Sequence, residues 1–231
     1  MSYRAGLTGN QLKIIAITAM FIDHLSWWLV PLDSLLGECI HILGRIAAPI
    51  MCFFIAEGAF YTKDINAYIK RLLLFAVISH LPYNLYFQHN WWEATGILWG
   101  MALGLTALTS IQQEHLSKII KILILFICCI LAMPANWSFI PVLWIVSFGL
   151  LRRRFALQMC AMLFIGIFLY ALPFCLIDSW LYIYQFGIIL AVPLLFQYNG
   201  KRGKTTRWSK WSFYLFYPLH LSLLYILRFI I

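Results

Sequence analysis

Apolar runs of roughly bilayer-spanning length recur along almost the whole of this 231-residue chain. They fall at 12–30, 40–61, 67–88, 95–111, 118–133, 137–151, 155–173, 180–197 and 211–231. A spanning helix needs about 17–25 such residues. In hydrocarbon every backbone N–H and C=O must be bonded within its own segment, so runs like these fold as helices. No hydrophilic stretch between them is long enough for a separate soluble domain. Hydrophobic residues make up 63% of the chain and charged ones 11%, against roughly 25% charged in soluble domains. The expectation is an all-α, polytopic integral membrane bundle of about nine transmembrane helices, a single domain over residues 1–231. The runs at 95–111, 118–133 and 137–151 are short, which leaves tilted or re-entrant segments open. The first run carries Lys13, Asp23 and His24 and ends without a small-residue cleavage site. It reads as a retained helix rather than a signal peptide.

Charge gives the orientation. Basic residues collect in alternate loops: Lys63, Lys70 and Arg71; Lys118 and Lys121; Arg152, Arg153 and Arg154; Lys201, Arg202, Lys204, Arg207 and Lys210. The intervening loops hold Asp33 and Glu38, then Glu93, then no charge around 133–137, then Asp178. By the positive-inside rule this alternation predicts a cytoplasmic N-terminus and an extracytoplasmic C-terminus. Trp27–Trp28, Trp91–Trp92, Trp180–Tyr184 and Trp208–Trp211 fit the aromatic belt of a membrane interface. Cys39, Cys52, Cys128, Cys129, Cys160 and Cys175 form no CxxC or Cys/His spacing and read as membrane-packed thiols, with no metal expected. No internal repeat is visible, and nucleic acid is not an expected partner; the lipid bilayer is.

A charged group near the bilayer centre costs about 2.5–3.5 kcal/mol on insertion scales, so each one inside a run is a functional candidate. Lys13 and His24 lie eleven residues apart, about three helical turns, and project from one face of the first helix. A neutral imidazole suits proton abstraction near pH 7, and a packed structural histidine is the bland alternative. Asp23 points about 100° away and either anchors a neighbouring helix or orients a histidine from another helix. Gly44, Ala48 and Cys52 form a small-residue stripe allowing close helix approach. Pro49 cannot donate to the carbonyl of Arg45, leaving it beside a guanidinium. Arg45 either holds an anion or polar substrate there or snorkels to lipid phosphate. Glu57 is read as a partner for Lys13, Lys63 or Lys70. His80 and His220 each sit beside a proline, near the same depth as His24, which suggests a common polar cavity that Glu57 and Asn84 also line. His41, His89 and His115 are placed in loops and carry no functional weight.

Four blocks run essentially end to end through the sequence: Leu12-Lys13-Ile14-Ile15-Ala16 with Met20-Phe21-Ile22-Asp23-His24; Gly44-Arg45-Ile46-Ala47-Ala48-Pro49; Phe54-Ile55-Ala56-Glu57-Gly58; and Tyr198-Asn199-Gly200-Lys201-Arg202-Gly203 with Phe216-Tyr217-Pro218-Leu219-His220-Leu221. Together they resemble the TraX family. The family includes the conjugal-transfer protein that acetylates the N-terminus of F-type pilin, and it is grouped with multi-helix membrane acyltransferases. There, a first-helix histidine eleven residues after a basic residue, usually Arg, is held to be catalytic; His24 and Lys13 match, with Lys for Arg. Asn136-Trp137-Ser138 stands where an acidic residue before Trp-Ser is expected.

The resemblance implies a multi-pass protein of the bacterial cytoplasmic membrane that transfers acetyl from cytoplasmic acetyl-CoA. The acceptor would be a pilin amine or a cell-envelope glycan. His24 would be the general base, with Asp23, Arg45 and His220 completing the catalytic set and Arg45 or a histidine stabilising the oxyanion. Lys13, Lys70, Arg71, Lys201, Arg202 and Lys204 would meet the CoA phosphates, although topology alone also accounts for the loop cations. Intramembrane Arg, Glu and His equally suit a proton-coupled transporter or exporter of a small polar or anionic solute. A non-catalytic partner of a pilus machine is the third reading.

Overall fold

The computed structural model describes residues 6–204 and 207–229. The side chains of Asp178 and of residues 207–210, counted above among loop charges and belt aromatics, lie outside the described part, as do residues 230–231 of the last run. Among the described residues the apolar runs become nine helical segments. They are α1 (Gly9–Leu29), α2 (Leu35–Tyr61), α3 (Ile65–Phe87), α4 (Ile97–Ile111), α5 (Lys118–Leu131), α6 (Ile140–Leu150), α7 (Phe155–Ile177), α8 (Trp180–Phe196) and α9 (Arg207–Phe229). α1, α2 and α7 are long and apolar enough to cross a membrane, while α4, α6 and α8 are apolar but shorter. At 1.5 Å per residue α6 rises only about 16 Å, roughly half a hydrocarbon core. Leu35, Val77, Ile119, Phe126 and Ile177 stand largely exposed, a surface suited to lipid rather than water.

Local sequence explains where the helices begin. Thr8 and Gln11 make a capping box at α1, the Gln11 side chain accepting from the Thr8 N–H at 2.8 Å. Ser34 Oγ accepts from Gly37 N at 3.0 Å at α2, Asp64 Oδ1 from Ala67 N at 2.8 Å at α3, and Ser117 Oγ from Ile120 N at 3.3 Å at α5. Each such cap is worth about 1 kcal/mol. α2 consists of two arms, Leu35–Gly44 and Ala47–Tyr61, joined by a turn at Arg45 and Ile46. α7 widens into π turns at Ile167–Ala171 and Phe174–Asp178, on either side of Pro173. A proline ring clashes with the carbonyl four residues back, and a wide turn accommodates it.

Two compact units divide the chain. One holds Met1–Met51 and Gly166–Phe216. In it, α1 packs on the first arm of α2, which packs on α8. The approach of α8 is close: a Cβ on Gly187 would collide with the Ile42 carbonyl. The segment before α1 is tied to the one after α8. Leu7 N donates to Gln197 O at 2.8 Å, and Asn199 N donates back to Leu7 O at 3.0 Å.

The other unit holds Cys52–Ile165 and Tyr217–Ile231. Here α4 is buried along most of its length and packs on α3, α5 and α6. Trp144 of α6 is fully buried, and its Nε1 donates to Met162 O at 3.0 Å. Gln158 Nε2 donates to Phe148 O at 2.7 Å, so a polar side chain inside α7 is satisfied by a neighbouring helix end.

Gly187→Val places a branched side chain against the Ile42 backbone, which cannot yield as a side chain would. It is expected to lower stability by about 3 kcal/mol, read as a drop in Tm and in folded yield in detergent, whereas Gly100→Ala, whose added Cβ would lie at ordinary contact distance, 3.5 Å from Ser138 O, loses far less.

Candidate functional site

The polar centre of the first unit grows from one carboxylate. Asp23 of α1 is 2% exposed. Opposite it, His41 and Arg45 stand four residues apart on α2, one helical turn, and so share a face. Asp23 serves both: Oδ1 accepts from His41 Nδ1 at 2.8 Å and Oδ2 from Arg45 Nη2 at 2.6 Å. Gly44 makes this possible, because any Cβ there would overlap the Asp23 side chain. The small-residue stripe of α2 thus begins where α1 brings a charge across.

α7 and α8 close the site around Arg45. Nη1 donates to Gln185 Oε1 at 3.3 Å, and the guanidinium lies 5.3 Å from the Tyr184 ring centroid. The Tyr170 hydroxyl, carried on the first π turn of α7, is within hydrogen-bonding reach of Arg45 and Gln185. His41 is packed between Trp27 at 4.8 Å and Tyr184 at 5.3 Å between ring centroids. Its Nε2 faces Ser26 Oγ at 3.5 Å. His24 is buried next to this network, in the field of Asp23, Arg45 and His41. Among the described residues no group of three or more His, Cys, Asp or Glu is placed to hold a metal.

The expectations for His41 and Tyr184 need correction, as does the one for Glu57 described below. His41 is not a loop residue: it lies on α2, is fully buried, and binds Asp23. Tyr184 is not an interfacial belt residue; it is 1% exposed and faces Arg45. Asp23 does what both readings allowed, anchoring α2 and orienting a histidine of that helix. Tyr170 and Gln185 were not singled out in the sequence. The available signals were the His41–Arg45 spacing and the few polar residues inside otherwise apolar α7 and α8.

The basic residues divide between the units. The chain after α8 folds onto the start of α1: Gly9 N donates to Lys201 O at 2.9 Å, Asn10 N to Arg202 O at 3.0 Å, and Asn10 Nδ2 to Lys204 O at 2.6 Å. Gly203, at φ +87°, makes the turn that an L side chain would strain. Lys201, Arg202 and Lys204 therefore gather at the N-terminal end of α1. Lys13, one turn inside, feels the charge of Arg202 and rests its Nζ 5.3 Å from the Phe213 ring centroid. Lys70 and Arg71 belong to the other unit, with the Arg71 guanidinium 5.8 Å from the Tyr68 ring centroid.

The remaining candidates also lie in that second unit. Glu57 pairs with Arg152 at 3.0 Å, not with Lys13, Lys63 or Lys70. The Arg152 guanidinium lies 4.4 Å from the Phe60 ring centroid. His80 Nε2 donates to Trp91 O at 2.7 Å, tying α3 to the loop before α4, and Asn84 Nδ2 donates to His80 O at 3.0 Å. His220 is buried on α9, 5.5 Å from the Tyr217 ring between centroids. Of the catalytic set, then, Asp23, His24 and Arg45 share one unit and His220 lies in the other.

Removing one partner of a buried ion pair strands the other charge and costs about 3–5 kcal/mol. Asp23→Ala is expected to destabilise the protein by that amount, measured by thermal or denaturant unfolding in detergent. Asp23→Leu combined with Arg45→Met should be milder than Asp23→Ala alone.

Comparison with known proteins finds similar sequences over most of the chain. The family model described as TraX protein matches residues 8–228. A protein named probable fimbrial assembly protein FimC, serogroup H1, from Dichelobacter nodosus is 31% identical over 217 residues, 88% of each chain. An uncharacterized protein, RP591, of Rickettsia prowazekii (strain Madrid E) is 34% identical over 95 residues, 41% of this chain and 34% of its own. No solved structure matches. The family match takes in α1, the Asp23 network and the basic segment that folds onto α1, and the chain belongs to the TraX family.

Proposed function

We propose that this chain is an integral membrane acyltransferase that moves an acetyl group from cytoplasmic acetyl-CoA to an amine or hydroxyl acceptor. The observation that carries the reading is buried His24, eleven residues along α1 from Lys13 and beside the Asp23–Arg45 pair. In the proposed topology the helices cross the inner membrane nine times with the N-terminus inside, so the basic segment folded on α1 meets cytosol. Lys201, Arg202 and Lys204 then take the CoA phosphates, with Lys13 at the mouth of the site. A relative named for fimbrial assembly favours a pilin-type amine over an envelope glycan.

Acyl transfer makes three demands. The acceptor must lose a proton, the thioester carbonyl must be polarised as it becomes tetrahedral, and water must be kept out. His24 takes the proton. The Arg45 guanidinium, held in place by Asp23 and Gln185, supplies positive charge for the developing oxyanion. The apolar packing around both keeps water from competing for the acyl group.

Purified protein in nanodiscs, given acetyl-CoA labelled in the acetyl group and a host membrane fraction as acceptor, is expected to transfer label. His24→Ala should slow transfer by about 10²–10⁴-fold, the range for loss of a general base. Transfer that survives the substitution removes His24 from the mechanism. Solute flux into vesicles without CoA would favour a transporter instead. Replacing Lys201, Arg202 and Lys204 together by Ala should raise KM for acetyl-CoA, leave kcat nearly unchanged and reduce the salt sensitivity of KM.

A further inference from the structure

We propose that Ser26 carries the acyl group between donor and acceptor, with His41 as its base and Asp23 as the group that orients His41. This rests on the acyltransferase reading and adds a covalent step to it. Asp23 and Ser26 are three residues apart on α1 and share a face, and His41 comes between them from α2. The atoms are linked in the order that nucleophilic catalysis requires. Asp23 Oδ1 holds His41 Nδ1 at 2.8 Å, and His41 Nε2 faces Ser26 Oγ at 3.5 Å. A carboxylate at Nδ1 fixes the proton there, which leaves Nε2 free to accept one.

The surroundings hold this arrangement in one geometry. Arg45 grips the second carboxylate oxygen, so Asp23 cannot rotate away from His41. The Trp27 and Tyr184 rings both pack against the imidazole. Ser26 now donates to the Asp23 carbonyl at 2.8 Å, as serines inside helices commonly do. That bond alone explains neither the imidazole on its other side nor the carboxylate behind it. A rotation of the hydroxyl hydrogen aims the proton at Nε2. His24, two residues before Ser26 and about 200° around the helix, faces elsewhere.

In the first half-reaction Ser26 Oγ attacks the thioester carbonyl carbon as its proton passes to His41 Nε2. The C–S bond breaks and the CoA thiolate takes that proton, leaving an acetyl ester on Ser26 and free CoA. In the second half the acceptor nitrogen attacks the ester carbonyl. Its proton goes to Nε2, and the C–O bond breaks as Nε2 returns that proton to Ser26 Oγ. An ammonium acceptor gives up two protons on becoming an amide. His24 takes the first and gives it up to solvent before the next turnover, and His41 passes the second to Ser26 Oγ, which gives each of these two buried imidazoles a separate proton.

The test is to incubate the full chain in nanodiscs with label-bearing acetyl-CoA and no acceptor. The wild type is expected to gain the mass of one acetyl group on the peptide containing Ser26 and to release an equal amount of CoA. Ser26→Ala should form no acyl-enzyme. His24→Ala should form it but fail to pass it on. Asp23→Asn should slow its formation by about 10⁴-fold, the loss seen when the orienting carboxylate of a serine protease is made an amide. Ser26→Cys keeps a nucleophile of similar size and should trap the acetyl as a hydroxylamine-labile thioester, which decides the matter should Ser26→Ala not fold. Label on another residue, or transfer to a host membrane fraction at the wild-type rate by Ser26→Ala, overturns the proposal while leaving the acyltransferase standing. No label on protein or membranes with the wild type removes the acyltransferase reading, and this step with it.

Discussion

A carboxylate with two obligations organises the first unit. Asp23 cannot be buried alone, since an unpaired charge in a low-dielectric interior is prohibitively costly. Its two oxygens are both committed, one to an imidazole and one to a guanidinium, and both partners come from a single turn of α2. That requirement fixes the register of α2 against α1 more tightly than apolar packing would, because hydrocarbon side chains next to lipid discriminate weakly between registers. The consequences spread outward. Gly44 has no room for a side chain, Arg45 needs Gln185 and Tyr184 on its far side, and Gly187 lets α8 come near enough to provide them.

The same unit joins chain segments nearly 200 residues apart. Gly6 to Asn10 and Gln197 to Lys204 exchange backbone and amide hydrogen bonds at the foot of α1. The basic side chains there ride on a backbone already committed to α1. Their positions follow from helix capping and turn geometry. Bringing like charges together costs free energy, and here the backbone hydrogen bonds to α1 offset that cost.

The sequence showed the helices clearly and the site only in part. Among the described residues each of the nine apolar runs overlaps one helical segment, because in an apolar medium run length and helix are nearly the same statement. Where a run was short, as at 137–151, the helix is short as well. Lys13, Asp23, His24 and Arg45 stood out because charge inside an apolar run has few neutral explanations. His41 did not, since its position near the start of a run looks like a loop until the partner helix is known. Tyr184 was misplaced for a related reason: an aromatic near a helix end satisfies the belt pattern whether it faces lipid or a guanidinium. Glu57 was correctly seen as needing a cation, but Arg152 lies 95 residues away along the chain, and no local spacing points to it.

The π turns of α7 have a consequence for how this part of the chain tolerates change in length. Leu172 N donates to Ile167 O and Ser179 N to Phe174 O, five residues back in each case, so each turn holds one residue more than an α-helix would. Deleting a single residue between 167 and 171 would let the helix relax to ordinary winding at little local cost. The helix on either side would keep nearly its present phase, because the wide turn packs its extra residue into about the same rotation, and only the side chains inside the turn, Tyr170 among them, would be re-aimed relative to Arg45. Most helices treat a one-residue loss as a defect in hydrogen bonding. Here the backbone would improve and Tyr170, carried inside the turn, would lose its aim at the guanidinium, so length in α7 is set by what Tyr170 has to reach.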